Sequence, residues 1–242
     1  ETARAVGYSE TAFAWPVQEG FRVRYFAPAM EVAFCGHATI ALTAALGAAF
    51  GEGSFQLQLN DAAISTRASK GADGNWQAML HSPPTKSQAA DSHCLERVMH
   101  EAGILDYQLD QTIPPAFIHA GADHLLIALK SRLRLSQLGY HFARVQAIMQ
   151  HYGLVTICVT VRESERFFHA RNLFAAGGVY EDPATGAAAA AFAGYLRDLA
   201  IIEQGQIDII QGEDMGQTSH LIADLDPIPA SPVRISGSVA WL

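Results

Sequence analysis

The stretch Glu31-Val-Ala-Phe-Cys-Gly-His-Ala-Thr39, continuing into Ile-Ala-Leu-Thr-Ala-Ala-Leu-Gly-Ala-Ala-Phe50, sets the architecture of this chain, and it has a counterpart. Further along, Glu181-Asp-Pro-Ala-Thr-Gly186 runs into the apolar segment Ala187 to Leu196. In both places a short cluster with polar groups opens onto a helix that has almost no polar face. Such a helix has no side suited to water, so both are expected to be wrapped by other elements as the centres of cores. The first turn of a helix carries unpaired N–H groups and the positive end of the peptide dipoles, which makes each mouth a seat for an anion such as a carboxylate. His37 and Cys35 stand at one mouth and Asp182 at the other. The plainer reading is that Thr39 and Asp182 cap their helices, as Thr and Asp commonly do.

Outward from these segments, strand patterns recur. Phe21 to Phe26, Phe55 to Leu59, Ala63 to Arg67 and Trp76 to Leu80 read as strands around the first helix. Leu95 to Gly103 reads as an amphipathic helix and Phe142 to Tyr152 as a further helix. Phe117 to His119, Leu125 to Leu129, Val155 to Val161, Phe167 to Leu173, Ile207 to Gln211, Leu221 to Leu225 and Val233 to Val239 read as strands around the second. The polar, proline-bearing stretch Asp106 to Pro115 is the best boundary, which gives two halves, 1–112 and 113–242. The predicted class is α+β, with each half a curled, mostly antiparallel sheet around a central apolar helix.

Composition narrows the function. The 242 residues are 50% hydrophobic and 17% charged, yet no uncharged apolar run reaches membrane-spanning length. With 16 Lys and Arg against 24 Asp and Glu, a formal charge of −8 and no basic run, nucleic acid is not the expected partner; a small molecule is. Cys35, Cys94 and Cys158 have irregular spacing and form no disulfide framework, so a reducing cytoplasm is the expected setting. His93, Cys94 and His100 lack the paired spacing of a zinc site, and no phosphate loop or dinucleotide fingerprint is present, so neither a metal nor a nucleotide cofactor is expected.

Tyr8-Ser-Glu-Thr-Ala-Phe13, Arg24-Tyr-Phe-Ala-Pro28 leading to Phe34-Cys-Gly-His-Ala38, Glu181-Asp-Pro-Ala-Thr-Gly186 and Gln211-Gly-Glu-Asp-Met-Gly216 together resemble the PhzF phenazine-biosynthesis-like family, in its order and spacing. The resemblance implies two pseudo-symmetric halves with an active site in the cleft between them, a fold similar to diaminopimelate epimerase and proline racemase, and cofactor-independent proton movement on a small cyclic or unsaturated carboxylate. It also implies site residues. Glu10 is expected to be the general acid/base, its ionised form disfavoured by the apolar neighbours Ala12, Phe13, Ala14 and Trp15. His37 and Asp182 are expected to hold or relay to the substrate. Cys35, Gly36, Ala38, Thr185, Gly186 and Ala187 are expected to line it, the glycines permitting close backbone approach.

Three departures qualify the expectation. Ala187 stands where many family members carry a hydroxyl. Cys35 matches one thiol of the related racemases, but Asp182-Pro183-Ala184 offers no second thiol for the opposite face of the substrate carbon. The family also has an opening strand ahead of the segment that begins at Glu1; without it a sheet edge would be open, which together with family habit predicts a homodimer. The competing reading is a metabolite-binding member of the same family that has lost turnover.

Overall fold

The computed structural model describes residues 2–60, 62–71 and 74–239; Glu1 and residues 240–242, which bound the two expected halves, lie outside them. The first part of the chain forms α1 (Thr2–Val6), β1 (Thr11–Val17), β2 (Gly20–Phe26), β3 (Glu31–Val32), α2 (Gly36–Phe50), β4 (Gly53–Gln58), β5 (Ala63–Lys70) and β6 (Trp76–His81). Then come β7 (Lys86–Ala89), α3 (Ser92–Glu101), β8 (Ala116–His119), β9 (Asp123–Leu129), α4 (Arg132–Ser136), α5 (Phe142–Tyr152), β10 (Thr156–Arg162), β11 (Phe167–Leu173) and β12 (Glu181–Asp182). The chain ends with α6 (Gly186–Asp198), β13 (Gly205–Gln211), β14 (Ser219–Leu225) and β15 (Arg234–Val239). The strands run β1-β2-β4-β5-β6-β15-β14-β13-β11-β10-β9-β8-β7, mostly antiparallel, the two sides meeting where β15 pairs with β6.

The same unit is built twice. Strand β2 pairs antiparallel with the short β3, α2 follows, and β4 returns parallel to β2. Likewise β11 pairs antiparallel with β12, α6 follows, and β13 returns parallel to β11. A parallel return needs a crossover, and in each case the apolar helix supplies it. The α+β class with a large, mostly antiparallel sheet and few helices is as the sequence predicts.

Helix α6 is wrapped as expected: every residue from Gly186 to Arg197 is buried. Helix α2 is not. It packs on β1, β4, β5, β6 and β15, which cover one side only, and Ala41 and the last turn with Phe50 face solvent. Both helices belong to one core; a second core lies between α3, α5 and the outer face of the sheet. Strand β9 serves both, Leu126 and Ala128 facing one and Leu125, Ile127 and Leu129 the other. Burial on both faces accounts for its unbroken apolar run.

The pattern reading missed β1 and β7. In β1 four of seven residues are exposed, and β7 is the polar Lys-Ser-Gln-Ala; neither shows a clean alternation. β7 pairs with β8 and α3 packs on α5, so the chain enters its second side soon after β6, ahead of Asp106 to Pro115.

Candidate active site

Three side chains named from the sequence meet. Glu10 immediately precedes β1, whose pairing with β2 begins at Thr11 and Phe26. His37 is the second residue of α2, and Asp182 lies in β12, held against Asn172 of β11. His37 Nε2 is 3.3 Å from Glu10 Oε2, and His37 Nδ1 is 3.6 Å from Asp182 Oδ1. The carboxylates are 5% and 2% exposed, while the imidazole between them is 22% exposed and forms the opening to solvent. Nδ1 donates to the Ala184 carbonyl oxygen at 2.5 Å, which fixes the ring across the junction of the two helix units. Among the described residues, none hydrogen-bonds to the buried atoms Glu10 Oε2 and Asp182 Oδ1.

The electrostatics divide the two acids. Burial is the largest influence on Glu10 and pushes it up, but the His37 charge together with polar contacts to His37, Ser9 and Cys35 outweighs it, and the group sits below its ordinary value. Burial pushes Asp182 up, and the neighbouring Glu10 charge adds to this; His37 and the Thr185 hydroxyl pull the other way without prevailing. Burial would lower His37, yet its hydrogen bond with Cys35 and the charges of Asp182 and Glu10 hold it well above the ordinary histidine range. Cys35 is pushed by burial up to about 12, so at neutral pH it is a thiol and its role beside His37 is not that of an anion.

The expected cause at Glu10 is therefore corrected. Phe13 and Trp15 are 36% and 43% exposed, turned outward along β1, and Phe13 packs edge-on against Phe26 at 5.6 Å. Glu10 is enclosed by groups distant in sequence, and its ionised form is favoured rather than disfavoured. Thr39 does not cap α2 either: it lies one turn in, its hydroxyl donating to the Cys35 carbonyl at 2.6 Å and meeting the Tyr25 hydroxyl at 2.6 Å. Glu181 is a partner of Arg171, with buried contacts of 2.9 and 2.7 Å, and Glu31 forms a similar but exposed pair with Arg24.

Gly36 and Gly186 do permit close approach, but to each other. A Cβ on Gly36 would lie 2.5 Å from the Gly186 Cα, and one on Gly186 would lie 2.9 Å from the Gly36 Cα. The first residues of both central helices thus touch backbone to backbone, with Ala38 and Ala187 buried just inside. Thr185 has no free hydrogen-bonding group to offer a guest: its hydroxyl donates to Asp182 Oδ2 at 2.5 Å and its N–H to Gln211 Oε1 at 3.1 Å.

Sequence reasoning missed Gln211 as a site residue, although it opens a quoted motif. It is 1% exposed, and its Nε2 donates to the Asp182 carbonyl at 2.7 Å and to Thr185 Oγ1 at 2.9 Å. Its Oε1 also accepts from Asn172 Nδ2 at 3.0 Å. Thr156 in turn donates to Asn172 Oδ1 at 2.9 Å and meets His124 Nδ1 at 2.8 Å. A buried polar chain therefore braces the turn that carries Asp182. Cys35, expected to line the site, lies beside Glu10 and His37, the three ligand atoms within 4.8 Å of one another. His93 instead contacts the Tyr152 hydroxyl, and Cys94 and Cys158 are buried elsewhere, so neither thiol faces Cys35 across the site. A cavity of about 440 Å³ lined by Arg4, Phe13, Phe26 and Met30 has none of the three central residues in its lining. No described helix is long and apolar enough to cross a membrane.

The family model for phenazine biosynthesis-like proteins matches residues 1–241. Trans-2,3-dihydro-3-hydroxyanthranilate isomerase of Pseudomonas aeruginosa is 29% identical over 98% of this chain and 84% of its own length. Uncharacterized isomerases of Mesorhizobium japonicum and Deinococcus radiodurans are each 29% identical, over 92% and 77% of this chain; the matched spans cover 78% and 62% of those proteins. The crystal structure of a PhzF-family phenazine biosynthesis protein from Bacillus anthracis shares the fold, with a TM-score of 0.82, 18% identity and coverage of 99% of this chain and 85% of that one. A hydroxyproline epimerase from Agrobacterium vitis aligns at a TM-score of 0.67 and 11% identity over 95% and 71% of the two chains. The chain belongs to the phenazine biosynthesis-like family, whose curated relatives matched here carry isomerase names.

Proposed function

We propose that this protein is a cofactor-independent isomerase that moves a proton between carbons of a small cyclic or unsaturated carboxylate, with Glu10 as the proton carrier. The observation that carries the reading is the convergence of two buried carboxyl groups on one imidazole, Glu10 at 3.3 Å and Asp182 at 3.6 Å, their surroundings pushing Glu10 down and Asp182 up from their ordinary values. Pairs of acids pushed apart in this way can divide base and acid duties. Glu10 takes the proton from the substrate carbon as a carboxylate and returns it from the resulting carboxylic acid. Cationic His37 favours the charged form of Glu10 before transfer and stabilises negative charge on the substrate after it. Asp182 Oδ1, which has no hydrogen bond among the described residues, can accept one from a substrate hydroxyl or amine. Cys35, Gly36, Ala38, Gly186 and Ala187 line the same crevice, and Thr185 acts through Asp182.

The reading is tested by incubating the whole protein with candidate cyclic and aromatic carboxylates in deuterium oxide and following deuterium entry at carbon by NMR. Glu10→Gln keeps the shape but cannot carry a proton, so the exchange rate should fall at least about 10²-fold, as expected for a positioned acid/base group. Unchanged exchange would remove Glu10 from this role. A binding member without turnover would instead show saturable ligand-induced stabilisation and no exchange in the wild-type chain.

A further inference from the structure

We infer that His124 and Thr156 are positioning residues for the proton transfer: they head a one-way chain of hydrogen bonds that crosses the sheet and ends on Asp182 Oδ2, leaving Oδ1 towards His37 and the crevice. The chain starts at His124 on β9 and passes through Thr156 on β10 and Asn172 on β11 to Gln211 on β13, four neighbouring strands. Strands lie about 4.8 Å apart, so its head is about 14 Å across the sheet from Gln211. All four side chains belong to residues at most 1% exposed, and they alternate along their strands with members of the core around α6, among them Leu126, Cys158, Ala170 and Ile209. Apolar side chains would fill such positions without the desolvation that a buried polar group must recover through hydrogen bonds.

The direction of donation follows from one group that has no choice. A backbone N–H can only donate, so the Thr185 N–H, 3.1 Å from Gln211 Oε1, fixes which way the Gln211 amide points. Gln211 Nε2 then donates to the Asp182 carbonyl and to Thr185 Oγ1, and that hydroxyl donates onward to Asp182 Oδ2. Because Gln211 Oε1 accepts, the Asn172 atom 3.0 Å from it is Nδ2, which turns Asn172 Oδ1 to Thr156 at 2.9 Å. An amide oxygen cannot donate, so the single O–H of Thr156 does. His124 Nδ1, 2.8 Å from the same hydroxyl, must therefore carry the ring proton. Nε2 is then the bare nitrogen, buried with no hydrogen bond among the described residues. Burial, with His119 adding to it, lowers His124 to about 3, so the ring is neutral and held in one tautomer. From His124 to Asp182 every bond donates in the same sense, and bonds aligned in this way polarise one another in a low-dielectric core.

That the chain serves turnover rests on the proton-transfer reading of the site; the direction of donation does not. Heteronuclear NMR of the whole protein, labelled at the histidine nitrogens and assigned by the signal lost in His124→Leu, should find the His124 proton on Nδ1 near neutral pH. A proton on Nε2 overturns the inference. Thr156→Val keeps the shape of the side chain and severs the chain, so kcat for carbon exchange should fall at least about tenfold, part of the loss that about 1 Å of misplacement brings, with KM moved less. His124→Leu removes only the head and should lower kcat by about threefold or more, an arm that stands whether or not Thr156→Val folds. Thr156→Ser restores the hydroxyl and should return kcat to within about twofold of wild type. A purely structural part would lower the melting temperature of Thr156→Val and His124→Leu while leaving kcat per folded molecule unchanged, and that result overturns the inference, as does a Thr156→Ser enzyme no faster than Thr156→Val. A wild-type chain that exchanges no carbon-bound proton overturns the proton-transfer reading and the positioning role together; wild-type exchange that both severing variants retain overturns the positioning role alone.

Discussion

Replacing Gln211 by Met keeps an unbranched side chain of similar volume while removing four buried hydrogen bonds, those to the Asp182 carbonyl, Thr185 Oγ1, Thr185 N–H and Asn172 Nδ2. Thr185 Oγ1 keeps its contact with Asp182 Oδ2, so three groups lose the partner that Gln211 gave them. A buried polar group left unpaired costs about 1–3 kcal/mol, and three of them near the lower end give about 3–5 kcal/mol of lost stability. For a chain of this length each kcal/mol moves the melting temperature by about 2–4 °C, so calorimetry should record a fall of roughly 6–20 °C. The same turn carries Asp182, and a shift of about 1 Å in a positioning group can cost about 10²-fold in rate. Gln211→Glu provides the second arm: it loses both donated bonds and, where ionised, buries a carboxylate oxygen against the Asp182 carbonyl, so it should melt at or below Gln211→Met. If Gln211→Met stays within about 1 kcal/mol of wild type and exchanges carbon-bound protons at the wild-type rate, the bracing argument is refuted.

A further outcome follows from the same geometry. Asp182 has a raised value in the folded chain, so above its unfolded value of 3.8 the folded state is penalised as pH rises, until the folded value is passed. Asp182→Asn should therefore raise the melting temperature, by more at pH 7 than at pH 4, while slowing carbon exchange; a melting temperature lowered at both values would contradict this. From the family resemblance we also propose that the whole protein forms a homodimer. Light scattering that gives a monomer mass at high concentration rules this out.

The sequence made the twofold architecture legible because its signal is local: an apolar helix after a polar cluster occurs twice, and the core position it implies holds all round for α6 and on one side for α2. Glu10, His37 and Asp182 were legible as a set through motif resemblance, and the chain does bring them together. What escaped the reading was non-local. The surroundings of Glu10 looked apolar because Ala12 to Trp15 follow it, but strand geometry turns Phe13 and Trp15 outward and leaves Ser9, Cys35 and His37 as the enclosing groups. Gln211 in isolation reads as one more polar residue at a strand end, and only the packing of β13 against β11 reveals that it bridges Asn172 and the Asp182 turn. Strand β7 has no hydrophobic alternation to detect, because its partner β8 defines it.

The contact between Gly36 and Gly186 has an electrostatic cost that the rest of the crevice answers. Each of these residues starts a helix, so two like poles, each equivalent to about half an elementary charge, are pressed together with no side chain to hold them apart. At a separation of about 4 Å and an effective dielectric constant of about 20, their repulsion is of order 1 kcal/mol. Negative charge beside the junction relieves it, and Glu10 supplies such charge from within the protein. A guest bringing its own carboxylate would add to that relief, so this meeting of helices favours anionic visitors before any side chain has selected among them.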